Sequence, residues 1–298
     1  MNEQKTAILI DSGCDLSEGL RKKYDIRVIP FHIIYPEGDF LDTEFDAMEV
    51  YARFPSVIPT TSTPSVAEIR DALDRIREEG YENVLAFTIS ANLSGTYNAV
   101  RLVVSEYEGL NIFAFNTRNV SIASGLYAVW SARQLAAGRS FGQICEGLKN
   151  RVVEAKVFFY MDTLKYLEKG GRIGKVTSMV GTLLSLKPII SCDEEGIYYT
   201  VAKIRGGKKG KERIVEEAVR FCSHLEEIVT VKTGRATEEA AAIVQMLEEK
   251  LSGVKVHYDG QIAPTLALNT GPGLIGIAVL RRQRTPAVSP TQWVETVR

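Results

Sequence analysis

Thr88-Ile89-Ser90-Ala91-Asn92-Leu93-Ser94-Gly95-Thr96-Tyr97 decides how the chain folds. Before it, Val84 to Ile89 is an apolar run of strand length. After it, Tyr97, Val100, Val103, Val104 and Tyr107 fall on one face of a helix. A loop of hydroxyls and glycine thus joins the carboxyl end of a buried strand to the amino end of a helix. In open parallel sheets, ligands bind outside the carboxyl ends of the strands. The helix start adds unpaired N–H groups and partial positive charge, which suit an anion. The competing reading makes the Ser or Thr a helix cap and nothing more.

A second stretch of the same kind is Pro59-Thr60-Thr61-Ser62-Thr63-Pro64-Ser65. Pro64 suits a first helical position with Thr63 as cap. Ser65 with Glu68 offers a capping box instead. Ile69, Leu73 and Ile76 then mark the buried side of that helix. A cap needs one hydroxyl, and this segment carries five. The surplus belongs either to a polar loop or to a second set of donors aimed at the same anion as Ser94.

Around these two stretches the chain alternates strand and helix. Thr6 to Ile10 is a strand, Asp11-Ser12-Gly13-Cys14-Asp15 a polar turn, Leu16 to Tyr24 helical, and Ile26 to Tyr35 a second apolar run. A loop with Pro36, Gly38 and Asp42 follows. Ile112 to Phe115 is a strand, Ala123 to Ala137 a helix with Trp130 inside it, and Phe141 to Val153 helical. This pattern predicts an α/β fold of two α/β domains. The first, 1–155, is a doubly wound, mostly parallel sheet carrying the anion loops. The second, 156–298, is a smaller mixed sheet with helices that closes over them. It holds a strand from Lys156, a helical run from Val176 to Leu186, and a hairpin turning at Asp193–Gly196. Further on come a strand at Ile228–Val231, a helix at Thr237–Leu251 and a strand at Lys255–Tyr258. Asn269-Thr270-Gly271-Pro272-Gly273 makes a tight turn before the strand Leu274–Leu280, and the tail from Arg281 reads as loosely attached.

Composition narrows the function. Hydrophobic content of 45% and charged content of 24% are those of a soluble globular protein, and a net charge of −1 gives no global pull toward nucleic acid or membrane. The Met1–Thr6 start lacks the basic and apolar regions of a signal peptide, and no apolar run reaches bilayer length, so a cytoplasmic location is expected. Cys14, Cys145, Cys192 and Cys222 form no metal-spaced pair, and three histidines make a multi-His metal site unexpected. No cofactor is expected.

Catalytic motifs fail on spacing. Ser94 lacks the G-x-S-x-G elbow, and His32, His224 and His257 lie in no motif that brings them to it. A serine-dependent hydrolase or acyltransferase using Ser94 stays as the alternative. Gly170-Gly171-Arg172-Ile173-Gly174-Lys175 suggests a phosphate loop, but the position five before Gly174 is Lys169 and Val176 follows Lys175. The first turn does not match G-x-G-x-x-G either. What survives is a site whose polar end is hydroxyls and helix N–H groups. Arg205-Gly206-Gly207-Lys208-Lys209-Gly210-Lys211 reads as a basic loop, solvated or docking. Its charge, like that of Gly170-Gly171-Arg172, suits a partner surface rather than a ligand pocket.

Six segments together resemble the DegV family of bacterial fatty-acid-binding proteins, which includes the FakB subunits of fatty acid kinase. They are Asp11-Ser12-Gly13-Cys14-Asp15-Leu16, Thr61-Ser62-Thr63-Pro64-Ser65, Leu93-Ser94-Gly95-Thr96-Tyr97, Asp162 to Gly174, Lys187-Pro188-Ile189 and Gly271-Pro272-Gly273. The resemblance implies a fatty acid held between two domains, with its carboxylate at Thr61 and Ser94 and their neighbours Ser62, Gly95 and Asn269. It implies a binding protein, not a catalyst. A separate kinase subunit of the dihydroxyacetone-kinase-like type would phosphorylate the bound acid for phospholipid synthesis, with Arg172 as a contact and membrane contact at most transient. Where the family often places His before the Gly-Pro-Gly turn, this chain has Asn269, which donates a hydrogen bond but carries no charge.

Overall fold

The computed structural model describes residues 2–54, 56–179, 186–222 and 226–281. Its strands form three sheets. Sheet A joins β1 (Thr6–Asp11), β2 (Ile26–Ile29), β6 (Asn83–Thr88) and β7 (Asn111–Asn116) in the order β2-β1-β6-β7, every pair parallel. Every residue of β1 is buried, as expected of a strand covered on both faces. On one face, Ile69, Leu73 and Ile76 of α3 (Val66–Glu78) and Val100 and Val103 of α4 (Thr96–Glu106) pack against Ala7, Leu9, Val84 and Ala86. On the other lie α1 (Glu18–Tyr24) and α5 (Ile122–Ala136). The doubly wound parallel sheet is therefore present. Ser65, not Thr63, caps α3, and Glu68 completes the box.

Sheet B is a small antiparallel sheet of β4 (Gly38–Leu41), β3 (His32–Tyr35) and β5 (Thr60–Ser62), in that order. It corrects two expectations. The apolar run Ile26 to Tyr35 is not one strand: it breaks at Pro30-Phe31, where proline has no N–H for a ladder, and its halves enter different sheets. The Pro36–Gly38 segment is the turn of a hairpin. Helix α2 (Ala47–Ala52) follows it.

Sheet C is mixed, in the order β10-β9-β8-β13-β11-β12. Its strands are β8 (Ala155–Tyr160), β9 (Leu186–Cys192), β10 (Tyr198–Arg205), β11 (Glu226–Gly234), β12 (Val256–Gln261) and β13 (Leu274–Arg281). Only β11 and β12 pair in parallel. β13, the last strand among the described residues, sits in the middle. Helices α6 (Phe141–Lys149) and α7 (Lys165–Lys169) flank β8 in sequence, and α8 (Gly207–Phe221), α9 (Thr237–Lys250) and α10 (Pro264–Thr270) belong to the second half.

Helix α5 packs on β1 and β6 of sheet A and also on β8 and β13 of sheet C. That double contact explains its composition. Ala123, Ser124, Gly125, Ala128, Ser131 and Ala132 are all buried, so small residues line most of its circumference. A Cβ on Gly125 would meet Cys14 O at 2.5 Å.

Three expectations in the second half change. The basic segment Arg205–Lys211 is not a loop: Gly206, at φ 89°, precedes α8, and Lys208, Lys209 and Lys211 lie on its first turns. Gly210 is tolerated there because the helix leans on Tyr160, whose Cε2 would lie 2.1 Å from a Cβ. Asn269 and Thr270 end α10 rather than open a turn. Gly174–Met179 is a 3-10 helix; of the run to Leu186 read as helical, residues 180–185 lie outside the described residues and Leu186 opens β9. Arg281 ends β13 and pairs with Glu154 at 2.9 Å, and the tail beyond it lies outside the described residues. No helix among the described residues is long and apolar enough to cross a membrane.

Candidate functional site

Loops at the carboxyl edge of sheet A are tied together by one buried carboxylate. Asp11, at the end of β1, accepts from Cys14 N at 3.1 Å and from Ile89 N at 2.9 Å. The loop after β1 is thereby fastened to the loop after β6. Burial pushes the Asp11 carboxyl up to about 7, against these two hydrogen bonds. Ser12 Oγ accepts from Phe31 N at 2.8 Å and fastens the chain after β2. Because β2 and β6 lie on opposite sides of β1, the strand order reverses here, and a crevice opens at such a point.

A cavity starts in that crevice. Its polar end holds Thr61, Ser62 and Thr63 of the β5 segment, Ser94, Asn269 and Arg172. Its interior is lined by Phe31, Ile89, Val120, Phe159, Leu266 and Leu274, drawn from both halves of the chain. The free interior is narrow, about 50 Å³. Among the described residues, no carboxylate lines it.

Thr61 and Ser94 arrive by different routes. Ser94 comes from the β6–α4 loop, as expected. Its Oγ accepts from Thr96 N at 3.3 Å and shares a hydrogen bond with Thr96 Oγ1 at 2.8 Å, so it also serves the helix start. Thr61 was expected in a loop at the edge of the parallel sheet. It lies instead in β5 of sheet B, opposite Ile33. β-branched threonines favour such an extended segment, and the hairpin β3–β4 supplies the partner strand. Among the described residues, no protein group hydrogen-bonds the Thr61, Ser62 or Thr63 hydroxyls.

Gly95 does not line the cavity. It is the N-cap of α4, and its Cα side faces Thr63, with Cγ2 3.8 Å from the Cβ position, so the β5 and β6 segments abut. Asn269 does line it, but its Nδ2 donates to Thr265 O at 2.9 Å, leaving one N–H for a ligand. Its Oδ1 lies where a Cβ on Gly170 would come within 2.1 Å. Arg172 was expected away from the pocket. It is exposed but lines the cavity mouth, its Nη1 donating to Gly170 O at 2.6 Å. A guanidinium at a rim keeps its hydration, so it avoids the desolvation penalty that an interior charge would carry.

Among the described residues, Ser94 has no histidine partner, and its hydroxyl is engaged with Thr96. His32 stands between Asp39 and Glu68, and His257 is exposed on β12. His224 lies outside the described residues. The hydrolase alternative is therefore not favoured. Among the described residues no cluster of metal-binding side chains occurs.

Sequence reasoning missed a buried charged cluster behind the cavity. Lys232 Nζ lies 3.1 Å from Asp15 Oδ1 and 3.4 Å from Asp259 Oδ2. Asp15 also accepts from Ala263 N at 2.7 Å and from the Ser121 hydroxyl. Asp42 accepts from Thr265 Oγ1 at 2.6 Å, and burial pushes its carboxyl up to about 6. This cluster borders a second cavity of about 320 Å³, too charged for an apolar ligand. The available signal was a lysine following the apolar run Ile228–Val231 and one aspartate, Asp15, in the turn after β1.

Comparison with known proteins places this geometry among relatives. A family model described as "Uncharacterised protein, DegV family" matches residues 5–282. A DegV domain-containing protein of Clostridium acetobutylicum is 36% identical over 94% of this chain and 100% of its own length. Among solved structures, DegV of Bacillus subtilis, a fatty acid binding protein, is 26% identical with a TM-score of 0.83, covering 95% of this chain and all of that one. A stearic acid-binding protein of Eubacterium ventriosum is 30% identical with a TM-score of 0.84, covering 93% of this chain and 98% of that one.

Proposed function

Because the chain belongs to the DegV family, we propose that it binds a long-chain fatty acid between its two halves, 1–155 and 156–298, and presents the carboxylate to a partner acyl kinase for phosphorylation. The kinase is of the dihydroxyacetone-kinase-like type, and its product feeds phospholipid synthesis. The binding protein itself needs no cofactor, performs no catalysis and works in the cytoplasm with at most transient membrane contact. One observation carries the reading: unengaged hydroxyls from β5 and the Ser94 hydroxyl line a cavity whose apolar lining comes from loops that follow the strands of sheet A, from strands of sheet C and from α10. The solved relatives that bind fatty acids share this fold.

The energetics divide the labour. Burying some sixteen methylenes at about 0.8 kcal/mol each gives on the order of 13 kcal/mol before the costs of association. The acyl chain thus supplies affinity. The hydroxyls of Thr61, Ser62 and Ser94, with the remaining Asn269 N–H, orient the carboxylate. Neutral donors leave it more nucleophilic than an Arg fork would. Loading requires the apolar lining to part, since about 50 Å³ is well below the about 300 Å³ or more of ordinary ligand pockets.

Arg172, exposed at the mouth, is the contact offered to the partner. Native mass spectrometry of freshly purified protein tests the binding reading. A stoichiometric, unmodified fatty acid supports it, and a covalent acyl adduct on Ser94 overturns it. Arg172→Ala, assayed with a kinase after loading to the same fatty acid content as wild type, should slow acyl phosphate formation.

A further inference from the structure

His32 sits beside the strand that carries the head-group hydroxyls, held between two carboxylates. Its Nδ1 is 2.9 Å from Asp39 Oδ1 and its Nε2 is 2.9 Å from Glu68 Oε1. A neutral imidazole has one N–H and one lone pair. With a carboxylate at each nitrogen, the neutral ring would set its lone pair against an anion, whereas the imidazolium donates to both. The groups facing it are Asp39 from β4, Glu68 from α3 and the uncharged Ser62 from β5, its register partner. Burial works to lower the His32 pKa, but the Asp39 hydrogen bond and the charges of Glu68 and Asp39 outweigh it and raise the value.

The placement matters more than the pair. Alternate strand residues face opposite sides, so Thr61 shares a side with the buried Ile33 and Ser62 shares one with His32. The other oxygen of Glu68 accepts from Ser65 N at 2.8 Å and Ser65 Oγ at 2.7 Å, closing the cap of α3. Thr61, Ser62 and Thr63 therefore run between two anchors, β3 and the α3 cap, and the His32 imidazolium bolts those anchors together.

We propose that His32 is a positioning residue for ligand binding: its protonated ring holds the Thr61–Thr63 hydroxyls in place, so fatty acid affinity falls when the ring loses its proton. This rests on the reading of the cavity as a fatty acid site. The sign follows from the raised value: the clamp is complete below the ordinary histidine range and is lost as pH rises through a value above 6.5. A carboxylic acid is already ionised throughout that window.

Fatty acid titrations of wild type, His32→Gln and His32→Arg between pH 6 and pH 9 test it. Wild-type affinity should weaken about three- to fivefold across the range, the size expected of partly exposed ion pairs. His32→Gln should show the weaker affinity at every pH. His32→Arg, always charged and able to donate to both carboxylates, should hold the stronger affinity at every pH. A flat wild-type profile, or a wild-type slope retained in His32→Gln, overturns the inference and leaves the lipid reading standing. If wild type binds no fatty acid at any pH, the lipid reading itself fails and this inference falls with it.

Discussion

Lys232 and Asp15 stand 3.1 Å apart, each side chain 2% exposed, across 217 positions of sequence. The pair joins β11 to the turn after β1 and so links the two halves of the molecule beside the cavity. Removing one member of a buried pair leaves the other charge uncompensated, at a cost of about 3–5 kcal/mol. Lys232→Ala should therefore lower the urea midpoint sharply. Burial already pushes Asp15 up, and without Lys232 it would take up a proton more readily. The loss should be smaller at pH 5 than at pH 8. A midpoint close to wild type at both values would show the pair to be dispensable.

Thr61 and Ser94 share one cavity end but stabilise the fold differently. Each hydrogen bond lost to a carboxylate should cost about 1.5–3 kcal/mol of fatty acid binding. Thr61→Ala and Ser94→Ala should each weaken affinity without abolishing it, because the acyl chain remains buried. Their effects should be less than additive, since both serve one carboxylate. Ser94→Ala should also lower the melting temperature slightly, because Ser94 Oγ accepts from Thr96 N. Isothermal titration beside thermal melts of delipidated protein checks both, and unchanged affinity with a lowered melting point would make the two residues structural only.

Gly170, which does not line the cavity, gives an indirect test of Asn269. Its φ of −73° suits alanine, so the obstacle is the Asn269 Oδ1 at 2.1 Å from the new Cβ. Gly170→Ala should displace Asn269 and weaken fatty acid binding several-fold. Adding Asn269→Ala removes the clash, so the double variant should bind as Asn269→Ala alone does. If Gly170→Ala binds like wild type, Asn269 does not orient the carboxylate.

Gly210 decides between helix propensity and packing. Alanine would gain about 0.5–1 kcal/mol inside a helix. Its Cβ would meet Tyr160 Cε2 at 2.1 Å, and such overpacking costs about 1–3 kcal/mol. Gly210→Ala should destabilise by about 1 kcal/mol in chemical denaturation. A stabilised variant would mean that α8 does not lean on Tyr160.

The parallel sheet and its helices were legible because their signals are local. The β6–α4 loop follows an apolar run and precedes a helical face, and Ser94 lines the cavity as that pattern suggests. Thr61 was found for a partly mistaken reason: the loop expected of it is a strand, paired with a hairpin that opens 25 or more positions earlier. Sheet B is built of strands of three and four residues, too short for alternation to stand out. The helix at Gly207 was hidden because its glycines answer to Tyr160, about fifty positions away. The Asp15–Lys232 pair was illegible for the same reason, since nothing local connects a turn at residue 15 with a strand at 232.

The position of β13 sets a sequence in time. It lies between β8 and β11, although it is made after both of them. Until Leu274–Arg281 leaves the ribosome, β8 and β11 each present an open edge. Asn269, Thr270 and Leu274 are also synthesised after the rest of the described cavity lining. A nascent chain can assemble sheet A early yet cannot close this cavity until Leu274 has been made. Truncations that stop short of Leu274 should therefore leave sticky, ligand-free products instead of weaker binders.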